Sequence, residues 1–266
     1  MQLFRIARTA VARQKKRRKK MELFTYKELY EEDGKRILEV NVLPEKYCNF
    51  DCVFCPIGRS PHKPDDIVEF EPADRAIEDL RMRIRSQKPD LVYINSKGEA
   101  LIHNRISDII RAIHEEGKPV RLLSNGYLLG REKFMAIANP CEEVIAEIKT
   151  ARNQDFWKLQ RPVQGYTLEQ YVENIVSFRE QYHGKLLFEV TIVGNYNDDA
   201  RSVEWLEKTV ARIHPDRLMV VGLEGEKFQK RLGVRPERLE EIDRQLQKRL
   251  LKAGYRKADG GNKNLC

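Results

Sequence analysis

Between residues 36 and 222 the chain runs through one pattern six times: a short run of aliphatic and β-branched residues, with longer stretches carrying apolar side chains at helical spacing in between. Strands are predicted at 36–43, 91–95, 119–123, 143–149, 186–193 and 217–222. Helices are predicted at 72–87, 104–116, 131–138, 167–182 and 202–213, with a last charged helix at 236–253. Strands that alternate with helices in this way form a parallel sheet with right-handed crossovers. Periodicity alone leaves a partly closed barrel and a doubly wound open sheet equally available. Either one puts functional side chains on the loops at the carboxyl ends of the strands. Ahead of the first strand, a short helix is predicted over 21–30 and a turn at Asp33-Gly34.

A chain of 266 residues is long enough for a sizeable core and suits one large α/β domain. Its charge is unevenly placed: residues 1–20 hold nine of the 49 Lys and Arg residues and none of the 41 Asp and Glu, so the remainder is close to neutral. The expected organisation is a basic N-terminal arm (1–20), one domain (21–255) and a flexible C-terminal tail (256–266). A block such as Lys15-Lys16-Arg17-Arg18-Lys19-Lys20 attracts phosphate by counterion release or attracts anionic lipid, or else is a solvated tail. RNA is therefore a candidate partner of the arm. No stretch approaches the roughly 20 apolar residues that span a bilayer, and the N-terminus lacks the apolar segment and cleavage site of a secretory signal. A cytoplasmic protein with no membrane span is expected.

Three of the five cysteines, Cys48, Cys52 and Cys55, crowd into the run Cys48-Asn49-Phe50-Asp51-Cys52-Val53-Phe54-Cys55 directly after the first strand. Disulfide scaffolds are rarely spaced this way, so metal ligation in a reducing compartment is the better reading. Thiolates suit iron–sulfur clusters and zinc, and three on one loop can hold three corners of a cubane, leaving the fourth iron open. A structural zinc site needs a fourth ligand, for which His62 or Cys141 is available, although such sites commonly pair cysteines from two separated loops.

The Cys-x3-Cys-x2-Cys spacing, with the aromatic Phe54 before the third cysteine, resembles the signature of the radical S-adenosylmethionine (SAM) superfamily. The resemblance implies an α/β fold, a partial (β/α)6 barrel of parallel strands with outer helices. It also implies a 4Fe-4S cluster on Cys48, Cys52 and Cys55, with SAM chelated at the open iron and reductively cleaved to a 5'-deoxyadenosyl radical. Other segments fall where the superfamily places its cofactor contacts. Ser96-Lys97-Gly98-Glu99 resembles the Gly-Gly-Glu motif that receives the SAM amino group, with Lys97 in place of the first glycine. Leu123-Ser124-Asn125-Gly126 resembles a Thr-Asn-Gly segment. Glu147-Ile148-Lys149 stands where relatives often show Ser-Leu-Asp, and Glu147 and Lys149, two apart on a strand, face the same way and can pair. Gly194-Asn195-Tyr196-Asn197-Asp198 is similar to a Gly-x-Asn-Asp turn near the methionine end of SAM. The cofactor contacts implied are thus Phe54, Gly98, Glu99, Ser124, Glu147, Lys149 and Asn195, with His103 and Arg161 structural. Glu189, inside an apolar strand, should meet a partner within the barrel, because a lone buried carboxylate is costly.

The stretch 37–222 looks most like the wyosine-synthetase-like branch of that superfamily. Gly98-Glu99-Ala100-Leu101-Ile102-His103 and Phe156-Trp157-Lys158-Leu159-Gln160-Arg161-Pro162 parallel segments of it. Members that build the tricyclic tRNA base carry a second cysteine set ahead of the SAM motif, and residues 1–47 contain no cysteine. Three functions stay open: an enzyme modifying RNA, an enzyme acting on a peptide, protein or small metabolite, and a non-enzymatic iron–sulfur or zinc module. The first two imply an electron donor such as flavodoxin or ferredoxin.

Overall fold

A computed structural model describes residues 24–70 and 72–252. The arm at 1–20 and the tail at 256–266 lie outside the described residues. Six parallel strands form the sheet in sequence order: β3 (Lys35–Asn41), β4 (Leu91–Ile94), β5 (Val120–Leu123), β6 (Glu143–Ile148), β7 (Lys185–Thr191) and β8 (Arg217–Val221). The helices between them are α1 (Asp74–Gln87), α2 (Ile106–Glu115), α3 (Glu132–Ala138), α4 (Leu168–Gln181) and α5 (Ala200–Ile213). After β8 come α6 (Glu226–Leu232) and α7 (Pro236–Lys252). The run from β3 to β8 gives the expected partial (β/α)6 barrel, and among the described residues no ladder joins β8 to the β3 side.

Strand parity divides the molecule. Leu38, Val40, Val92, Ile94, Val120, Leu122, Val144, Ala146, Ile148, Leu186, Phe188, Val190 and Leu218 join one core cluster with the apolar faces of the helices. Ile77, Leu80 and Ile84 of α1, and Ile109, Ile110 and Ile113 of α2, are among its helical members. Alternate residues point the other way, into the barrel. That inner row is polar: Glu39 pairs in register with Tyr93, Tyr93 with Arg121, Arg121 with Glu143, and Glu147 with Glu189. The cost of drying these groups is offset by pairing. Asn95 Nδ2 donates to Glu39 Oε1 at 2.9 Å, Tyr30 Oη to its Oε2 at 3.2 Å, and Lys27 Nζ lies 2.8 Å from Oε1. Arg121 Nε donates to Glu143 Oε2 at 2.6 Å, and its guanidinium also holds Glu32.

The helix expected over 21–30 is not what forms. Within the described part of that range the chain makes two short strands, β1 (Thr25–Tyr26) and the start of β2 (Tyr30–Glu32), both antiparallel to β3. A parallel edge strand has unpaired backbone groups, and Thr-Tyr and Tyr-Glu-Glu capture them at a position where a helix would leave the edge bare. The Asp33-Gly34 turn does form, with φ of 49° and 73°, and closes the β2–β3 hairpin. At this floor of the barrel, Asp33 Oδ2 accepts from Arg217 Nη1 of β8 at 2.7 Å. The link joins the hairpin to the far edge of the sheet.

Candidate cofactor site

The loop leaving β3 carries the three cysteines, and neighbouring strand ends fasten it at its base. Asn41 Oδ1 accepts from Lys97 N at 2.9 Å, and Val42 N donates to Ser96 Oγ at 3.3 Å, so the loops after β3 and β4 are tied together. Glu99 N then donates to Tyr47 O at 2.9 Å. Gly98 has φ of +147°, and a Cβ there would sit 1.9 Å from Tyr47 O, so only glycine allows this approach. The loop also braces itself. Asp51 accepts from Ser60 N (2.8 Å) and Arg59 Nε (2.7 Å); burial alone would raise its pKa, but these donors outweigh it and hold the carboxyl below the usual range.

A second clamp comes from the segment after β6, where a helical turn at Asn153–Asp155 runs into a π-helical turn at Phe156–Gln160. Asp51 N donates to Gln160 O (2.9 Å), Val53 N to Leu159 O (2.8 Å) and Val163 N to Asn49 O (3.0 Å). Phe54 packs with Leu159, Val193 and Leu223, and Cys52 lies against this small apolar cluster.

The described cysteines are all free thiols. Burial pushes the Cys48 thiol far up, and burial pushes Cys52 to about 12 even though the Lys149 charge works against it. The Cys48 and Cys52 thiols, held neutral in this way, become ligands when a bound cation deprotonates them. Among the described residues no three His, Cys, Asp or Glu side chains converge on one point. A cubane does not require that, since each thiolate takes a separate iron, so the donor set suits a cluster.

Behind the cysteines sits a buried carboxylate, Glu99. Its Oε1 accepts from Leu101 N at 3.1 Å, and its Oε2 accepts from Ser124 Oγ and Asn125 N, both at 3.0 Å. Burial raises the group to about 7 in spite of these three donors. About one of the roughly four lone-pair positions of a carboxylate is left over. Glu99 and Ser124 are thus brought together as a bracket between the loops after β4 and β5. Asn125 continues it: its Nδ2 donates to Asn49 Oδ1 at 2.6 Å and lies 3.7 Å from Cys48 Sγ.

On the opposite wall Lys149 Nζ lies 3.1 Å from Glu147 Oε1, 4.0 Å from Glu189 Oε1 and 3.3 Å from Thr191 Oγ1. Burial works against its charge, but the Glu147 and Glu189 carboxylates outweigh that, and Lys149 stays protonated. The partner expected for Glu189 is therefore this shared cation. Two carboxylates face one ammonium here, and burial with the Glu147 charge raises Glu189 to about 7.

Asn195 stands apart from this group. It is exposed on a turn with φ of +66°, its backbone N donating to Asp198 Oδ1 at 2.7 Å, beside a cleft lined by Arg152, Lys158, Tyr196 and Leu232. The buried neighbour is Asn197, whose amide bonds Val193 N (2.7 Å), Thr191 O (2.9 Å) and Lys149 O (3.2 Å) and so ties β7 to β6. His103 is structural in its contacts: it stacks on Phe70 and its Nδ1 accepts from Arg105 N at 2.9 Å. Asn125, Asn197 and Gln160 each lie within one of the motif segments, where spacing alone does not separate them from their neighbours.

The arrangement has parallels among known proteins. The chain is 23% identical over 183 residues to a UPF0026 protein of Methanocaldococcus jannaschii, a match covering 68% of this chain and 57% of that protein. Across the curated relatives the match spans between 27% and 60% of their length. The fold is similar to that of TYW1 solved with a lysine–pyruvate adduct, at TM-score 0.61 and 13% identity over 80% of this chain and 73% of that one. It is also similar to SuiB of Streptococcus suis bound to S-adenosylmethionine, at TM-score 0.59 and 14% identity over 79% of this chain and 46% of that one. The Radical SAM superfamily pattern matches residues 43–206, which span the cysteine loop, the Glu99 bracket and the Lys149 wall. The chain belongs to the radical SAM superfamily.

Proposed function

We propose that this protein is an enzyme that binds a 4Fe-4S cluster through Cys48, Cys52 and Cys55 and cleaves S-adenosylmethionine reductively at it. When bound, the cluster and SAM together supply a 5'-deoxyadenosyl radical that abstracts hydrogen from substrate. The chain's own contribution is placement and exclusion of water. The Gly98 backbone and the remaining lone pair of Glu99 receive the SAM ammonium. Phe54 gives the adenine an apolar neighbour, and Ser124, Lys149 and Glu147 offer polar contacts to the ribose and carboxylate. Asn195, exposed on its turn, is the outermost of the proposed contacts. Lys149, kept charged between two carboxylates, is suited to an anionic group and unsuited to act as a nucleophilic amine.

The observation that carries this reading is the single loop of three free thiols braced against the Gly98-Glu99 turn. Replacing any one of the three cysteines with alanine is expected to abolish both the brown cluster after anaerobic reconstitution and 5'-deoxyadenosine formation from SAM. Unchanged iron and sulfide content in all three variants would sink the assignment. A low-potential flavodoxin or ferredoxin is the proposed electron donor. For the substrate we favour RNA, on the charge of residues 1–20: binding to RNA should weaken steeply with salt and fall when those residues are removed. Absence of salt-dependent RNA binding by the full chain, with substrate affinity unchanged when residues 1–20 are removed, would favour a peptide, protein or small metabolite.

A further inference from the structure

Asn125 is held on every polar atom it has. Its backbone N donates to Glu99 Oε2 at 3.0 Å, and the buried Tyr171 hydroxyl reaches its carbonyl. Its side-chain Oδ1 accepts from Tyr127 N at 3.1 Å, which settles which end of the amide is nitrogen. The two hydrogens on Nδ2 are then directed by the rest of the geometry: Asn49 Oδ1 lies 2.6 Å away and Cys48 Sγ 3.7 Å away. The amide cannot turn from the sulfur without losing both the Tyr127 and the Asn49 bonds. From this we infer that Asn125 sets how readily the cluster accepts its electron, by donating an N–H···S hydrogen bond to the Cys48 ligand. The inference rests on the cluster assignment proposed above.

The physical reason is electrostatic. One-electron reduction adds negative charge that is shared between iron and the thiolate sulfurs. A fixed donor at one sulfur stabilises the reduced state more than the oxidised one, and hydrogen bonds to ligand sulfurs are among the factors that set cluster potentials. Asn125 is a positioning residue: it follows β5 and acts through the Cys48 sulfur, which its side-chain amide reaches alongside Asn49 Oδ1. Its fixed orientation means that no reorganisation is needed when the charge arrives.

The test compares wild-type protein with Asn125→Ala and Asn49→Ala, each reconstituted anaerobically and titrated by EPR for the reduced cluster. Asn125→Ala is expected to lower the ratio of reduced to oxidised cluster at a fixed poise by about tenfold, equivalent to 59 mV for one electron. Asn49→Ala removes the neighbouring acceptor but leaves the donor to sulfur, and should change the ratio by less than about threefold on the same scale. If Asn125→Ala does not retain iron, Asn125→Asp serves in its place: it still accepts from Tyr127 N, lacks the donor and adds charge, so its shift should be larger in the same direction. Equal potentials in wild type and the Asn125 variant, or an equal shift from Asn49→Ala, would overturn the inference and leave the cluster assignment standing. Absence of a cluster from the wild-type chain would overturn both.

Discussion

Substituting Gly98 with alanine tests whether the cysteine loop is held in place by one backbone contact. The added Cβ would lie 1.9 Å from Tyr47 O and 2.6 Å from Tyr47 C, and an ordinary contact begins at 3.4 Å. The loop must therefore retreat by about 1.5 Å, which breaks the 2.9 Å bond from Glu99 N to Tyr47 O. The left-handed conformation adds about 1–3 kcal/mol of strain for a residue with a side chain. Loss of the hydrogen bond adds about 1 kcal/mol. Together these predict about 2–4 kcal/mol of local destabilisation between Tyr47 and Glu99. Gly58 supplies the control: it has φ of +97° with nothing within 4 Å of a Cβ, so Gly58→Ala carries strain without collision. Hydrogen exchange at the Glu99 amide should speed up by roughly 30-fold or more in Gly98→Ala, at about 1.4 kcal/mol per factor of ten, and change little in Gly58→Ala. Wild-type protection of that amide in Gly98→Ala would refute the argument, and an equal effect from Gly58→Ala would show that strain alone is responsible.

Both Glu189 and Glu99 are raised to about 7, chiefly by burial, so the folded state binds protons that the unfolded state has released. Their contribution is most favourable below about pH 4.5 and is lost as pH rises towards 7, by at most about 3 kcal/mol each; denaturation of the apoprotein at pH 5 and 7.5 should show this decline, and Glu189→Gln should remove about half of it. Asp51 has the opposite sign: its carboxyl is held low by Arg59 and Ser60, so Asp51→Asn should destabilise the loop at neutral pH and matter less in acid, read as faster exchange at Ser60 N. Lys149→Met leaves Glu147 and Glu189 facing each other without a cation, which should cost about 3 kcal/mol at pH 7.5 and be largely repaired by adding Glu189→Gln. An additive double variant would refute the shared-cation account.

The six parallel strands were readable because each outward-facing row is apolar, and the helices between them carry matching faces. Boundaries differ from expectation by about two residues at most for these elements, as at Lys35–Asn41 and Lys185–Thr191. The N-terminal strands were not readable. Thr25 and Tyr26 become β-structure by pairing with Asn41 and Val40 on the free edge of β3, on the far side of the β2 hairpin, and no local period records that. The polar lumen is legible at Glu147, Lys149 and Glu189, where charged residues interrupt apolar strands, whereas nothing in the sequence distinguishes Glu39, Tyr93 and Arg121 from surface residues. Helix α6, at Glu226–Leu232, is short and polar with no buried residue, so it has no apolar stripe to announce it. In the site itself the ligating cysteines were legible from their spacing. The choice between Asn195 and Asn197 depends on which side of a turn faces the strand ends, and that is decided by the backbone fold.

The Asp33–Arg217 pair has a mechanical consequence. It crosses the gap in the sheet at the amino ends of β3 and β8; among the described residues no ladder joins those two strands, and at their carboxyl ends the cysteine loop spans the gap, its Phe54 sharing an apolar cluster with Leu223 beyond β8. The seam between β3 and β8 is thus closed twice, by a partly exposed ion pair at the floor and by an apolar cluster at the rim. Spreading β8 and α6 away from β3 at the rim would have to break that apolar cluster first, so the cysteine loop itself serves as the clasp of the open seam.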